Sequence, residues 1–551
     1  MCPPMKQFDR EINHTFKPIR KIQVIATLIF VAEMLIRYVL LMEIQRTVDS
    51  LTAGNIGITQ SYIRNCLILV FSFFFLNCFF QYWYRKLQYT SHYSLMKRLF
   101  GLSMRKDYSF YERFSSSSIL TMVKDDSKFI SDWQSVGIIT VVFNVCCLIL
   151  AFGVMLYYSV LISIIVFLIV MACFLGTQYI SRIISDRTYQ LQVSNTEIST
   201  DIVECLDGIK DIKQYKKEGF FDKKLSDFID EYPFRYSRSI SRYYSAFTST
   251  YAMLVIAMPI LTVIIGVGLV MKGQLSIGQL IAIYGVAGTL QEPIQVIPDY
   301  LNKRTQALAM QEKIAPILKK QEREYQTCQL EPLKEFSFSS RSFTFPDGKS
   351  ILHDVDFTLL RGEAGIVSGP SGRGKTSLLN LISRFYDTEG QPVSVGFNGI
   401  RAAGIEPEAY YSHVLQSQQT PYIFRDTILN NITLGEAFSE REIHEAVEAA
   451  CLEEFVESKG MDYLIEQNGE NISGGQKQRL GLARALIRKP ELLMLDEPVS
   501  ALNPELADTV TERVAEYCRR WRMSLLIVSH NDSFEKYYEE KQNGKVKKIF
   551  V

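Results

Sequence analysis

Six apolar stretches, near residues 22–44, 61–84, 134–157, 159–181, 246–271 and 276–300, dominate the first part of this 551-residue chain. Each is long enough to cross a bilayer, which takes roughly 20 residues as a helix. In hydrocarbon every backbone N–H and C=O needs a partner inside the protein, and single runs of this length meet that condition as α-helices. Residues 1–310 are therefore expected to form an all-α transmembrane domain of six spans. The third and fourth runs meet at Tyr157, Tyr158 and Ser159, which leaves room only for a tight hairpin.

The remainder of the chain has the mixed charge of an α/β domain, so the fold class is multidomain. A polar stretch around Lys319–Lys334 marks a linker, set at 311–334, before a second domain at 335–551. With 60 Lys and Arg against 59 Asp and Glu, net charge implies no polyanion-binding surface, and no nucleic-acid partner is expected. The ten cysteines lack Cys-x-x-Cys or Cys/His zinc spacing; Cys66, Cys78, Cys146, Cys147 and Cys173 lie in apolar runs and read as small hydrophobes. Cys2 follows Met1 with no apolar signal region before it, which argues against a lipoprotein or a secreted protein.

Basic residues set the orientation. The N-terminal tail carries Lys6, Arg10, Lys17, Arg20 and Lys21, and the segment 182–245 carries Lys210, Lys213, Lys216 and Lys217; the opposite loops offer Arg46, Arg64 and Lys272. Both termini are expected on the cytoplasmic side of an integral membrane protein, with a bacterial plasma membrane as the setting. Segments 85–132 and 182–245 keep helical spacing, as in Ile202, Val203, Leu206, Ile209 and Ile212, broken near Asp107–Phe114 and Cys205–Lys213. The spans should continue beyond the lipid as helices and reverse at short crosswise turns.

Three charged residues inside the spans are candidates for a polar pathway through the membrane. Glu33 and Arg37 sit one helical turn apart in mid-span, where charge is costly. They form either a self-neutralising structural pair or a polar feature of a pathway or helix contact. In the last span Glu292 precedes Pro293; the proline is expected to kink the helix, with the carboxylate near the freed backbone groups.

In the second domain, Phe336–Ser339 and Ser342–Phe345 alternate as strands do, and the second run meets the turn Pro346-Asp347-Gly348. Phe345 could stack on an adenine or simply pack. The run Gly369-Pro370-Ser371-Gly372-Arg373-Gly374-Lys375-Thr376 is a phosphate-binding loop. Its glycines leave backbone N–H groups free to wrap phosphates, Lys375 supplies a charge to the β- and γ-phosphates, and Thr376 is suited to ligate Mg²⁺. A strand, Ala364–Ser368, enters it, and a helix begins at Thr376 and Ser377 with its N-terminus toward the phosphates. Leu492–Leu495 ends in Asp496 and Glu497, the form of a buried strand that delivers acids to its C-terminal edge. Asp496 suits Mg²⁺ and Glu497 suits the water that attacks a γ-phosphate. Leu525–Ser529 is a second buried strand ending in His530, a candidate γ-phosphate contact.

Together these elements, in this order, resemble the ATP-binding cassette (ABC) transporter family over nearly the whole chain, with Ile472-Ser473-Gly474-Gly475-Gln476 as the signature motif. The resemblance implies ATP and Mg²⁺ as cofactors and ATP hydrolysis coupled to transport. It implies that Ser473, Gly474, Gly475 and Gln476 contact ATP held by a partner domain, and that two ATPs lie between two cassettes. Of Gln418 and Gln419, spacing to Phe424 favours Gln419 as the Mg²⁺-sensing glutamine and a catalytic participant with Glu497 and His530. Phe345 falls where the family stacks adenine. The ATP-binding set is then Phe345, Gly369, Ser371, Gly372, Arg373, Gly374, Lys375, Thr376 and Ser377 with the signature residues, and the metal set is Thr376, Gln419 and Asp496.

The transmembrane half looks like the six-helix exporter-type fold, with Asp107–Tyr111 and Glu204–Lys213 at its two coupling helices. Asn503 stands where the family has aspartate, in the loop expected to carry communication between ATP sites. The implied protein is a half-transporter in membrane lipid that pairs with a second half-transporter, a homodimer being favoured over a heterodimer. It would export a peptide or an amphipathic or hydrophobic small molecule. An importer of siderophore-like cargo on the same fold, and an ATP-gated regulator or channel, are the alternatives.

Overall fold

In the computed structural model, residues 16–17, 19–319, 330–345, 348–370, 372–529, 532–541 and 546–551 are described. They fall into two compact units. The first takes in residues up to Lys106 and from Ser115 to Lys319, and the second takes in Asp107–Phe114 together with the chain from Leu330 onward.

The first unit is all helix. Its elements are α1 (Arg20–Thr52), α2 (Ile56–Ser103), then, beyond the short α3 (Tyr108–Arg113) of the second unit, α4 (Ser116–Tyr158), α5 (Val160–Asp207), α6 (Ile209–Gln214), α7 (Glu218–Glu231), α8 (Pro233–Met271), α9 (Ile277–Thr289) and α10 (Gln291–Leu318). Among the described residues, six helical stretches are long and apolar enough to cross a membrane. The helices run to between 33 and 54 residues, well beyond the roughly 20 a span needs, and α10 extends to Leu318, into the stretch expected as linker. Residues 320–329 of that stretch lie outside the described set. Helix breaks fall at Met104–Asp107, just before the expected Asp107–Phe114, and at Gly208, within Cys205–Lys213.

The spans pack through aromatic and aliphatic side chains. Phe30 of α1 stacks on Phe80 of α2 and on Phe143 of α4, amid Met155, Ile162, Met258, Ile283 and Ile294. Polar contacts stitch α1 to α2. The Asn77 amide donates to Glu33 Oε1 at 2.9 Å, and the Asn65 amide donates to Glu43 Oε2 at 3.2 Å, with Arg46 on Glu43 Oε1 at 2.6 Å. Asp49 accepts from the Gly278 N–H at 3.0 Å and so caps the start of α9. Two π turns, Met122–Asp126 and Trp133–Gly137, widen α4. Gln23 of α1 donates to the carbonyls of Gln134 and Ser135 at 2.8 and 3.0 Å, partnering groups that the wider turn leaves available.

The last span is interrupted at Leu290, between α9 and α10. Pro293 has no N–H to offer the Thr289 carbonyl and its ring crowds that carbonyl, so the break falls one turn before the proline, where the kink expected from Pro293 belongs.

The second unit is α/β. Its elements continue as β1 (Glu335–Ser340), β2 (Phe343–Thr344), β3 (Ser350–Ile351), β4 (Val355–Leu360), β5 (Ala364–Ser368), α11 (Lys375–Ile382), β6 (Val393–Phe397), β7 (Ile400–Arg401), α12 (Pro407–His413), β8 (Val414–Ser417), α13 (Ile428–Thr433), α14 (Glu440–Ala449), α15 (Glu453–Lys459), α16 (Gly474–Leu486), β9 (Leu492–Asp496), α17 (Pro504–Arg520), β10 (Ser524–Val528), α18 (Ser533–Lys541) and β11 (Val546–Phe550). Five strands form a parallel sheet in the order β11-β5-β10-β9-β8. A second, antiparallel sheet runs β4-β1-β6-β7.

Every residue of β9 and β10 is buried, and successive residues face opposite cores. Leu493, Leu495, Leu525 and Ile527 pack with the helices α13 to α17, whereas Leu492, Met494, Leu526 and Val528 pack with α11 and the antiparallel sheet. This double burial explains the unbroken apolar runs of these strands. It also brings the C-terminal ends of β5 and β9 to one edge, where the phosphate loop, Asp496 and Glu497 emerge.

Candidate functional site

The loop after β5 turns sharply into α11. Gly372 and Gly374 take φ of +81° and +106°, a region that favours glycine, and Gly374 is the residue just before α11. Gly369 has a different reason: a Cβ there would come within 2.4 Å of the Val551 carbonyl oxygen. Lys375 is buried and donates from Nζ to the carbonyls of Gly369 at 2.7 Å and Pro370 at 3.2 Å, so its charge is held over the mouth of the loop. Arg373 is exposed at the loop's outer side.

Phe345, Lys349, Ile351, Gly372, Gly374, Lys375, Thr376, Ser377 and Glu497 line one cavity of about 420 Å³. Phe345 meets Phe343 and Tyr386 edge-on, at 5.0 and 5.4 Å between centroids. Its ring is therefore both packed and on the wall. Lys349 and Ile351 carry no motif and reach the cavity because β3 pairs with β2.

The acids stand at the end of β9. The Thr376 hydroxyl is hydrogen-bonded to Asp496; burial pushes the Asp496 carboxyl above its usual range, and Thr376 and Lys375 oppose that shift. Glu497 Oε2 accepts from Gln419 Nε2 at 2.6 Å, so the choice of Gln419 over Gln418 coincides with a direct contact to the second acid. Glu497 has φ +48°, strained for a side chain other than glycine, and its N–H donates to the Val528 carbonyl at 2.8 Å.

The oxygen donors fit Mg²⁺. Among the described residues no group of three or more His, Cys, Asp or Glu could cage a metal. Mg²⁺ is commonly held by one or two carboxylates together with substrate phosphates, so Asp496 and Thr376 are a sufficient protein contribution. Two sequence candidates, Ser371 and His530, lie outside the described residues.

Ser473, Gly474, Gly475 and Gln476 are not on this cavity's wall. They begin α16, where Ser473 Oγ accepts from the Gln476 N–H and Gln476 Oε1 accepts from the Ser473 N–H, a closed capping box. Asn503 caps α17: its Oδ1 accepts from the Leu506 N–H at 2.9 Å, with Pro504 in the first helical position. Asparagine and aspartate cap a helix about equally well. We therefore expect Asn503→Asp to leave thermal stability within about 0.5 kcal/mol and Asn503→Ala to lower it by about 1 kcal/mol, measured by denaturant titration.

In the first unit, Glu33, Arg37 and Glu292 come together. Arg37 Nη2 lies 3.9 Å from Glu33 Oε1, and Nη1 lies 3.5 Å from Glu292 Oε2. Glu33 is buried and also holds Asn77, whereas half of the Glu292 side chain is exposed. Arg37 lies over the Phe73 ring at 5.7 Å. The sequence pointed to two separate polar features, and the fold makes them one.

Two family models match the chain: the ABC transporter transmembrane region over residues 24–294, and the ABC transporter model over 352–500. An uncharacterized ABC transporter ATP-binding protein, YwjA, of Bacillus subtilis (strain 168) is 24% identical over 457 residues, covering 82% of this chain and 78% of the relative. The ATP-dependent lipid A-core flippase of Escherichia coli (strain K12) is 24% identical over 452 residues, 80% of this chain and 77% of the relative. A solved structure of a bacterial Atm1-family ABC exporter with ATP bound has a TM-score of 0.80 at 18% identity, covering 95% of this chain and 92% of that one.

Proposed function

The chain belongs to the ABC transporter family, with transmembrane region and cassette fused in one polypeptide, and on that premise we propose that it is an exporter half whose two copies move an amphiphile out of the cell. It is an integral membrane protein that hydrolyses ATP to drive transport, and as a half-transporter it works as a dimer. The excess of Lys and Arg on the N-terminal tail and on 182–245 supports cytoplasmic termini in a bacterial plasma membrane. A homodimer is favoured because the phosphate loop, both acids and the signature run all stand in this one sequence.

The observation that carries the reading is the convergence of Gly372, Gly374, Lys375, Thr376 and Glu497 on one cavity, with Asp496 and Gln419 bonded to its members. The loop N–H groups and Lys375 hold the phosphates, while Thr376 and Asp496 hold Mg²⁺, which neutralises phosphate charge when bound. Phe345 offers its ring to the adenine. Glu497 accepts a proton as water oxygen bonds to the γ-phosphorus and the bridging bond to ADP breaks; Gln419 fixes the carboxylate's position for that step. The start of α16, with Ser473 and Gly475, completes the partner's site. ATP binding drives transport to the extent that ATP prefers the closed pair of cassettes.

The charged cluster supports a cargo with a basic group. Two carboxylates face one guanidinium, an excess of one negative charge among membrane helices, and Glu292 is the exposed member. In a proteoliposome transport assay, Glu292→Gln should weaken the apparent affinity for a cationic amphiphile about ten-fold, the scale of one charged hydrogen bond, and spare a neutral analogue. Equal losses for both compounds would mean that the cluster only holds helices together.

A further inference from the structure

Gln478 lies outside the residues so far given a role, yet it is the buried side chain that joins the signature helix to the catalytic acid. It lies one turn into α16 and is 4% exposed. Its amide is bonded at both ends. Nε2 donates to the Glu497 carbonyl at 2.6 Å and to Ser500 Oγ at 3.2 Å, and Oε1 accepts from the Ala501 N–H at 3.1 Å. The Glu497 carbonyl also accepts from Ser500 Oγ at 3.1 Å, so a small closed network fixes the backbone of a residue that sits at a strained positive φ.

The surrounding packing makes α16 a rigid lever. At Gly475 a Cβ would stand 2.9 Å from the Leu502 side chain and 3.3 Å from the Ala501 carbonyl, so the loop after Glu497 lies directly on the helix start. At Gly481 a Cβ would stand 2.6 Å from Pro421, two residues beyond Gln419. One helix therefore touches the chain on both sides of the Gln419–Glu497 hydrogen bond, and Gln478 supplies the polar connection.

We propose that Gln478 is a positioning residue for hydrolysis: through Glu497's carbonyl and the Ser500-Ala501 backbone it transmits the placement of the α16 start to the Glu497 carboxylate. The start of α16 serves the partner's ATP and Glu497 serves its own, so this bond network is a route, within one chain, by which one ATP site biases the other. The inference rests on the reading of Glu497 as the group that activates water.

Purified full-length dimer in lipid nanodiscs decides it. Gln478→Leu keeps the size and removes all three bonds. It should lower kcat for ATP about ten- to a hundred-fold, the effect of leaving buried partners unsatisfied, with KM for ATP within about three-fold. In Gln478→Glu the neutral carboxyl can donate to the Glu497 carbonyl and accept from Ala501, so its turnover relative to wild type should recover as pH falls. Packing alone would give no such recovery. Should Gln478→Leu fail to accumulate, Ser500→Ala decides, with an expected fall in kcat of about three-fold at constant KM. Wild-type kcat in either variant, a parallel loss of ATP binding, or the absence of pH recovery in Gln478→Glu would overturn the proposal. Glu497→Gln is the reference: full turnover there would overturn the reading of Glu497 itself, and the role of Gln478 with it.

Discussion

Glu497→Gln is expected to cut steady-state phosphate release by about 10²–10⁴-fold, the usual contribution of a positioned general base, while ATP still binds. The substitution preserves size and leaves an oxygen able to accept from Gln419, which now sits at 2.6 Å. The phosphate loop, Lys375 and Thr376 are untouched, so the nucleotide should be retained and the dimer should accumulate in its closed form. Phosphate release and retained nucleotide, measured on the same nanodisc sample, separate this outcome from misfolding. Turnover near the wild-type value would show that another group takes the proton.

Lys375→Ala should behave in the opposite way and fail before hydrolysis begins. Lys375 is 8% exposed and holds two loop carbonyls, so its loss removes a phosphate-directed charge and also loosens the loop. A charge-assisted contact of this kind corresponds to roughly 10- to 150-fold in affinity. Fluorescent ATP-analogue titration should report that weakening, and cargo transport should cease with it. Tight binding combined with lost turnover, the Glu497→Gln pattern, would instead assign Lys375 to the chemical step alone.

The two halves of the chain were legible to different depths. Apolar length and the lipid's intolerance of bare backbone determine the six spans. The strands β9 and β10 are readable because burial on both faces gives an uninterrupted apolar run ending in charge. Asn503-Pro504-Glu505 is a legible helix start, and Asn503 caps α17 as an aspartate would, without the charge. Helical periodicity orders residues around one helix but does not say which helices meet, so the contact of Glu292 with Arg37 is not legible in the sequence. The break at Leu290 was legible because Pro293 takes away the partner of the Thr289 carbonyl, one turn before the proline itself. Gln478 was hidden. It is one polar residue in a polar motif, and only the return of β9 beside α16 shows that its amide is enclosed.

The pairing of Glu33 with Asn77, and of Glu43 with Asn65, bears on how the protein enters its membrane. A charged side chain at the centre of a lone helix costs about 2.5–3.5 kcal/mol to insert. In the first span Glu33 has Arg37 one turn away, while its closer hydrogen-bond partner, Asn77, lies 44 residues further on. Translation at about 5–20 residues per second leaves that carboxylate waiting roughly 2–9 s for Asn77. The first two helices, joined only by Ala53, Gly54 and Asn55, are thus suited to pass from the insertion machinery into lipid together, as a hairpin. An Asn77→Leu chain would make the second helix more apolar and yet leave Glu33 with Arg37 alone.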